Sequence, residues 1–233
     1  MFWNDDKPQK EFIPPDDTID LLFSISCREI PVDHVHALST ALKEEIPEHF
    51  ENSDIAVHSI HVAGSQNGWE RPDFNTDEHL ILSHRTKLTL RVPKHSAAEI
   101  QQRLHGVALD IGGCELVIGK AKIKSLSTQG TLFSRYIQCL ENEDENQFLQ
   151  RMAAELEKLG ITIKKALCGK TTLLHSPQGE ILTRSLMLAD LTAEESVKLQ
   201  QHGLGAGREM GCGIFIPHKG IDAVKKIEDA NDA

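Results

Sequence analysis

Apolar and polar positions alternate along this chain in an order that repeats once. From Thr18 the run TIDLLFSISCREI reads as a strand ending at Pro31. Val35, Leu38, Leu42 and Ile46 then recur at helical spacing behind Asp33, a side chain suited to cap a helix, so a helix is predicted to about Pro47. DIAVHSIHVAG and KLTLRV alternate apolar with polar residues and predict two strands, separated by a long polar loop that contains Asn67-Gly68. Ser96 and Glu99 have capping-box spacing in front of Ile100 and Leu104, and CELVIGKAKI supplies a further strand. The predicted order is β-α-β-β-α-β.

The second half repeats it. TLFSRYIQCL reads as a strand, and Asp144 with Gln147 caps a helix carrying Phe148, Met152, Leu156 and Leu159 that stops at Gly160. TIKKALCGKTTLL and EILTRSLMLADL flank the turn Ser176-Pro177-Gln178-Gly179, Thr192 with Glu195 caps a short helix, and CGIFIP closes the series. Two consecutive split βαβ units predict an α+β protein of two tandem ferredoxin-like βαββαβ domains, 18–125 and 130–224, in preference to one larger α+β domain. Residues 1–17, with paired acids and Pro14-Pro15, read as a flexible arm, and 225–233 as an acidic tail.

At 233 residues and 39% hydrophobic content the chain is long enough for one large core or two small ones. It shows no secretory pattern and no apolar run near the ~18 residues of a membrane span, so a soluble, cytoplasmic protein is expected. Five widely spaced cysteines form no CxxC pair, and reduced thiols rather than a zinc site are expected. The net charge of −10 looks unfavourable for a nucleic-acid partner, but it is unevenly placed. Residues 1–118 carry 10 basic against 20 acidic side chains, while 119–224 carry 13 against 12, which is compatible with a binding face on the second half.

The densest local signal is His202 to Lys219, HGLGAGREMGCGIFIPHK, where Gly203, Gly205, Gly207, Gly211 and Gly213 crowd together. Such a run can fold its N–H groups around phosphates while Arg208 adds a charged fork; it can equally be a tight helix-to-strand connection. It is no dinucleotide fingerprint, because it follows a helix and opens a strand. Gly169-Lys170-Thr171 is no phosphate-binding P-loop either, since Lys164 stands where the first glycine should be.

Gly203-Leu204-Gly205, five residues including Arg208, and Gly211-Cys212-Gly213 resemble the G-h-G-x5-G-h-G signature of the RAMP superfamily. The stretch GLGAGREMGCGIFIPHKGI is especially similar to the sixth CRISPR-associated (Cas) family, the repeat-specific endoribonucleases, as are LLFSISCREIPVDHVHALSTAL, SQNGWERP and TRSLMLADL. The resemblance implies tandem ferredoxin-like domains with the loop before the last strand. It further implies cleavage of CRISPR precursor RNA without metal or cofactor, by 2′-hydroxyl attack that leaves a 2′,3′-cyclic phosphate and a 5′-hydroxyl. The implied partners are repeat RNA or crRNA and, beyond them, a CRISPR effector complex, with no membrane. Gly203, Gly205, Gly207, Arg208, Gly211, Gly213 and Lys219 are the RNA-binding candidates.

Such chemistry needs a base, and an imidazole has an unperturbed pKa near ~6.5. His34 and His36 stand at the start of the first predicted helix, where members of the resembled family often carry a catalytic histidine. They flank opposite sides of the apolar stripe; PVDH favours His34, with His36 as the alternative. His58 and His61 point to opposite faces of a strand and read as structural. His202 and His218 bracket the glycine-rich segment, Trp69 could stack on a base, and Tyr136 in an apolar strand reads as core. Two other readings are a non-catalytic crRNA-binding subunit and a ferredoxin-like module that senses a small anion.

Overall fold

The structure, a computed structural model, describes residues 12–52, 54–62 and 78–218. The Asn67-Gly68-Trp69 turn, Lys219, the tail and most of the arm lie outside the described residues. The first half runs β1 (Thr18–Ser26), β2 (Glu29–Pro31), α1 (Val35–Glu45), α2 (Pro47–Glu51), β3 (Ala56–Val57), β4 (His79–Ile81), β5 (Lys87–Pro93), α3 (Ala97–Leu104), β6 (Ala108–Ile111) and β7 (Cys114–Ser125). The second runs β8 (Leu132–Gln138), α4 (Glu145–Lys158), β9 (Lys165–Ser176), β10 (Gly179–Ala189), α5 (Ala193–His202) and β11 (Phe215–Pro217).

The first sheet has the order β3-β5-β1-β7-β6 and the second β11-β8-β10-β9, antiparallel throughout. In each, the opening strand sits centrally between the third and fourth strands of its own unit, which is the ferredoxin-like arrangement; β6 is an added edge. Two cores follow from this duplication. Ile19, Leu21 and Phe23 of β1 pack with Leu38 and Leu42 of α1 and Ile100 and Leu104 of α3. Leu132 of β8 and Leu186 and Leu188 of β10 pack with Phe148, Met152 and Leu156 of α4. The periods of 2 and 3.6 in the sequence are therefore the inward faces of strands and helices.

Several expectations are corrected in detail. The first predicted strand is two: β2 leaves the main sheet and pairs with β4 in a separate ribbon. Among the described residues of DIAVHSIHVAG, only Ala56–Val57 forms ladder pairs, although Ile55, Ile60 and Val62 are buried. The capping boxes at Asp144 with Gln147 and Thr192 with Glu195 form, but Ser96 makes no side-chain cap, because a 3-10 turn over Lys94–Ser96 already holds it in helical conformation. Asp33 caps nothing: α1 begins at Val35, and the cap position belongs to His34.

The two units meet through a buried ion pair. Asp20 and Arg91 are cross-strand partners on β1 and β5, on the face turned away from the helices of the first unit. Arg91 Nε and Nη2 donate to the two Asp20 carboxylate oxygens at 2.7 and 3.1 Å, and Nη1 donates to the carbonyls of Gln200 and Phe215 at 2.8 and 3.0 Å. One guanidinium thus joins its own sheet to α5 and β11 with its charge satisfied on both sides.

Candidate nucleic-acid interface

The glycine-rich loop begins where α5 ends at Gly203, whose φ of 68° no side chain other than hydrogen tolerates well. The loop closes on itself: Leu204 N–H donates to the Gly213 carbonyl, Cys212 N–H to the Gly207 carbonyl, and Gly213 N–H to the Tyr136 carbonyl of β8. Between these ties Arg208–Met210 forms one 3-10 turn, with Gly207 and Gly211 left-handed on either side. The five glycines divide by what a side chain would meet. At Gly203 and Gly213 a Cβ would collide with the carbonyl oxygens of Gly213 and Leu204, and Gly211 lies so close to the Val57–Ser59 backbone of the first unit that a Cβ there would be in contact with it at 3.4 Å. These three serve close backbone packing. Gly205 and Gly207 instead line a groove.

That groove, about 770 Å³, runs between the loop and helix α1. His36, Ser39, Thr40 and Lys43 form the α1 wall, at the three- and four-residue spacing that keeps side chains on one helical face. Gly205, Gly207, Arg208 and Glu209 form the loop wall, and Gln178 from the β9–β10 turn also lines the groove. Arg208 is half-buried, and among the described residues it has no carboxylate partner; its Nε is buried without a hydrogen bond. Burial, with the nearby charge of Arg91 second, pulls its guanidinium down to about 10. A cation held with its charge unmatched beside open backbone is what an anionic ligand would complete.

The sequence-predicted residues are not all brought together. His36 faces the groove. His34 is fully buried: its Nε2 accepts the Ile60 N–H at 2.9 Å, and its Nδ1 lies 3.0 and 3.1 Å from the Pro31 and Val32 carbonyls. Accepting an N–H leaves Nε2 unprotonated and Nδ1 as the donor, so both nitrogens are engaged by backbone. This placement lends the preference for His34 as base no support, because no part of it is presented at the surface. The reason is the helix start: with His34 rather than Asp33 at the cap, the apolar stripe of α1 extends to include it. His202 is tied through Nδ1 to the Lys198 carbonyl, and His218 packs its ring against Phe133, with centroids 5.7 Å apart. Tyr136 is buried with Val35, Leu174 and Cys212.

Lys43 and His175 escaped the sequence reading. Lys43 sits seven residues after His36, two helical turns on, a spacing that only a correct helix start makes informative. His175 is paired through Nδ1 with Asp33 at 2.6 Å, a contact across 142 residues that no local pattern signals. Beside the Asp20–Arg91 pair, His58 lies 3.8 Å from Asp20; burial first and Arg91 second bring it down to about 3, so it is neutral there.

Tandem ferredoxin-like units with a glycine-rich loop before the last strand, and a groove beside it that carries Lys43 and Arg208 against one carboxylate, Glu209, define a RAMP-type protein. The chain belongs to the Cas6 family: the family's sequence model matches residues 19–220. The CRISPR-associated endonuclease Cas6 of Myxococcus xanthus (strain DK1622) is 31% identical over 201 residues, covering 85% of this chain and 81% of its own. The fold is similar to that of a Cas6-related protein of Pyrococcus furiosus, with a TM-score of 0.61 at 14% identity over 85% of this chain and 98% of that one. It is also similar to a RAMP protein described as binding different RNA substrates, with a TM-score of 0.60 at 14% identity over 86% of this chain and 100% of the other. No helix among the described residues is long and apolar enough to cross a membrane.

Proposed function

We propose that this Cas6-family protein is a cytoplasmic endoribonuclease that binds CRISPR repeat RNA and cleaves precursor crRNA without a metal ion. The observation that carries the reading is the groove in which His36 and Lys43 of α1 stand across from Gly205, Gly207 and Arg208, which has no carboxylate partner among the described residues. His36 takes the proton of the 2′-hydroxyl next to the scissile phosphate, and the freed 2′-oxygen attacks phosphorus. The P–O5′ bond breaks, the 5′-oxygen leaves and gains a proton, and the phosphorus is left as a 2′,3′-cyclic diester. Lys43 and Arg208 oppose the charge that builds on the non-bridging oxygens. Gly205 lets a phosphate approach the backbone, since only the Ile137 methyl, at 3.7 Å, lies near the position its Cβ would take. The two units, bounded at 18–125 and 130–224, supply one wall each: α1 from the first, the loop from the second.

The test is incubation of the purified protein with a 5′-labelled repeat hairpin in the presence of a chelator, followed by end-group analysis. One cut that leaves a cyclic phosphate, abolished by a deoxynucleotide at the scissile position, is the expected result. A requirement for Mg²⁺ would overturn the mechanism. Binding without cutting would make the chain a crRNA-holding subunit, and failure to retain RNA hairpin at low salt would leave a small-anion module.

A further inference from the structure

The residue best suited to cap α1 is used for something else. Asp33 precedes the helix, and α1 starts with no side-chain cap at all. The Asp33 carboxylate turns instead to the second unit, where Oδ2 accepts both the backbone N–H of His175 at 2.9 Å and its ring Nδ1–H at 2.6 Å. Its other oxygen, Oδ1, is buried with no hydrogen-bond partner. A helix start without a cap and a desolvated carboxylate oxygen are both unfavourable, so this contact is kept at the expense of local stability.

His175 is the penultimate residue of β9, one residue before the Ser176–Gly179 turn that joins it to β10. Next in sequence to these hydrogen-bonded partners, Val35 of α1 shares a buried cluster with Leu174 of β9, and Ile181 of β10 packs against it. The tip of a long hairpin from the second unit is therefore fastened by one polar and one apolar contact to the first turn of the helix that carries His36. The tip places Gln178 in the wall of the groove. Its carboxamide, with donors and an acceptor, is exposed and has no partner among the described residues.

We infer that Asp33 and His175 are positioning residues that clamp the hairpin tip to α1, and that Gln178, so placed, contacts the RNA nucleotide beside the scissile phosphate. This rests on the endoribonuclease reading above and adds to it the residue that reads a base edge at the site. An amide offers the paired donor and acceptor that a base edge requires, whereas the lysine and arginine of the groove address phosphate. The clamp fixes the distance between the general base and the nucleotide it must serve, and misplacement of about 1 Å can cost roughly 10²-fold in rate.

The test compares wild type, Asp33→Ala, Asp33→Asn, His175→Ala, the Asp33→Ala/His175→Ala double variant and Gln178→Ala in single-turnover cleavage across RNA concentrations. Hydrogen exchange over residues 174–181 is followed in parallel. Asp33→Ala and His175→Ala should lower the rate at saturating RNA by at least about tenfold with affinity changed less than about threefold, and should speed exchange at the hairpin tip. Asp33→Asn, which still accepts both hydrogen bonds, should restore both readouts to within about threefold of wild type, and the double variant should be no worse than the poorer single one. Gln178→Ala should keep tip protection and lose discrimination against a base change beside the cleavage point. A wild type that cuts and an Asp33→Ala that cuts equally fast at saturation, or a tip that stays protected, overturns the clamp. Unchanged discrimination in Gln178→Ala overturns the reading of a base. A wild type that cuts no repeat removes the endoribonuclease reading and this inference together.

Discussion

His34 and His36 are two positions apart, and on an α-helix that places their side chains about 200° apart around the axis. One faces a core and hydrogen-bonds backbone on both nitrogens; the other faces the groove. The two should fail differently. His36→Ala should reduce single-turnover cleavage by at least ~10²-fold with RNA affinity within about threefold and an unchanged unfolding midpoint, because proton abstraction matters in the transition state. His34→Ala strands the Ile60 N–H in the core, a cost of about 1–3 kcal/mol before the cavity is counted, so its urea midpoint should drop while the folded fraction still cuts. Cleavage rates at saturating RNA, with a urea melt of each variant, separate the outcomes; loss of cutting in a stably folded His34→Ala alone would restore His34 as the base. The helical spacing of Val35, Leu38 and Leu42 was legible in the sequence, and so was a pair of histidines near the helix start. Which of them is buried depends on where the helix begins, and Asp33 misdirects that reading by looking like a cap while bonding to His175.

Glycines that look alike in the loop have separate duties. A Cβ at Gly213 would overlap the Leu204 carbonyl oxygen, at a φ of 64°, and one at Gly203 would overlap the Gly213 carbonyl oxygen. Either Gly→Ala change should therefore unfold the connection between α5 and β11 and lower the yield of folded protein. Gly205 has a positive φ of 74° but only the Ile137 methyl, at 3.7 Å, near its Cβ position. Gly205→Ala should cost about 1–2 kcal/mol of backbone strain, leave the fold intact, and weaken RNA binding by placing a methyl group on the groove wall. Thermal melts and filter binding of the three variants check the division; equal loss of RNA affinity at all three with native melting would contradict it. The glycine density was visible in the sequence, yet the division was not, since it depends on which carbonyl lies opposite each Cα. Elements with local signals were likewise legible: both capping boxes of the second unit and the Gly179 turn formed where the residues placed them. β2 and β4 were not, because each pairs with the other, about fifty residues away in sequence; β6 was passed over although the Gly112-Gly113 turn joins it directly to β7.

At the scale of the molecule, the groove exists only while the two units keep their relative orientation, and one contact that holds it is Arg91, tied to Asp20 in its own unit and to the Gln200 and Phe215 carbonyls of the other. Burial raises the Asp20 carboxyl, but the Arg91 guanidinium outweighs it and the net shift is downward. His58 stands beside this pair, brought down to about 3 by burial and by Arg91. Above its ordinary pKa of 6.5 His58 is neutral in both folded and unfolded chains, and its contribution to stability is fully present. As pH falls, the unfolded chain binds the proton first, so stability is lost progressively from 6.5 down to about 3, at up to about 1.4 kcal/mol per pH unit for this one group. Asp20 adds a loss of the same sign below its ordinary 3.8, as acid protonates the partner of Arg91. A His58→Leu variant keeps an apolar side chain of similar reach and removes the titration. Urea unfolding at several pH values between about 6.5 and about 4.5, a window above the Asp20 range, should give a shallower decline for the variant than for wild type. Equal slopes would mean that His58 titrates as it does in water and that the interface does not exclude its charge. The steeper wild-type slope would place the cost of a third cation beside Arg91 and Arg208 at the junction that holds His36 across from the loop.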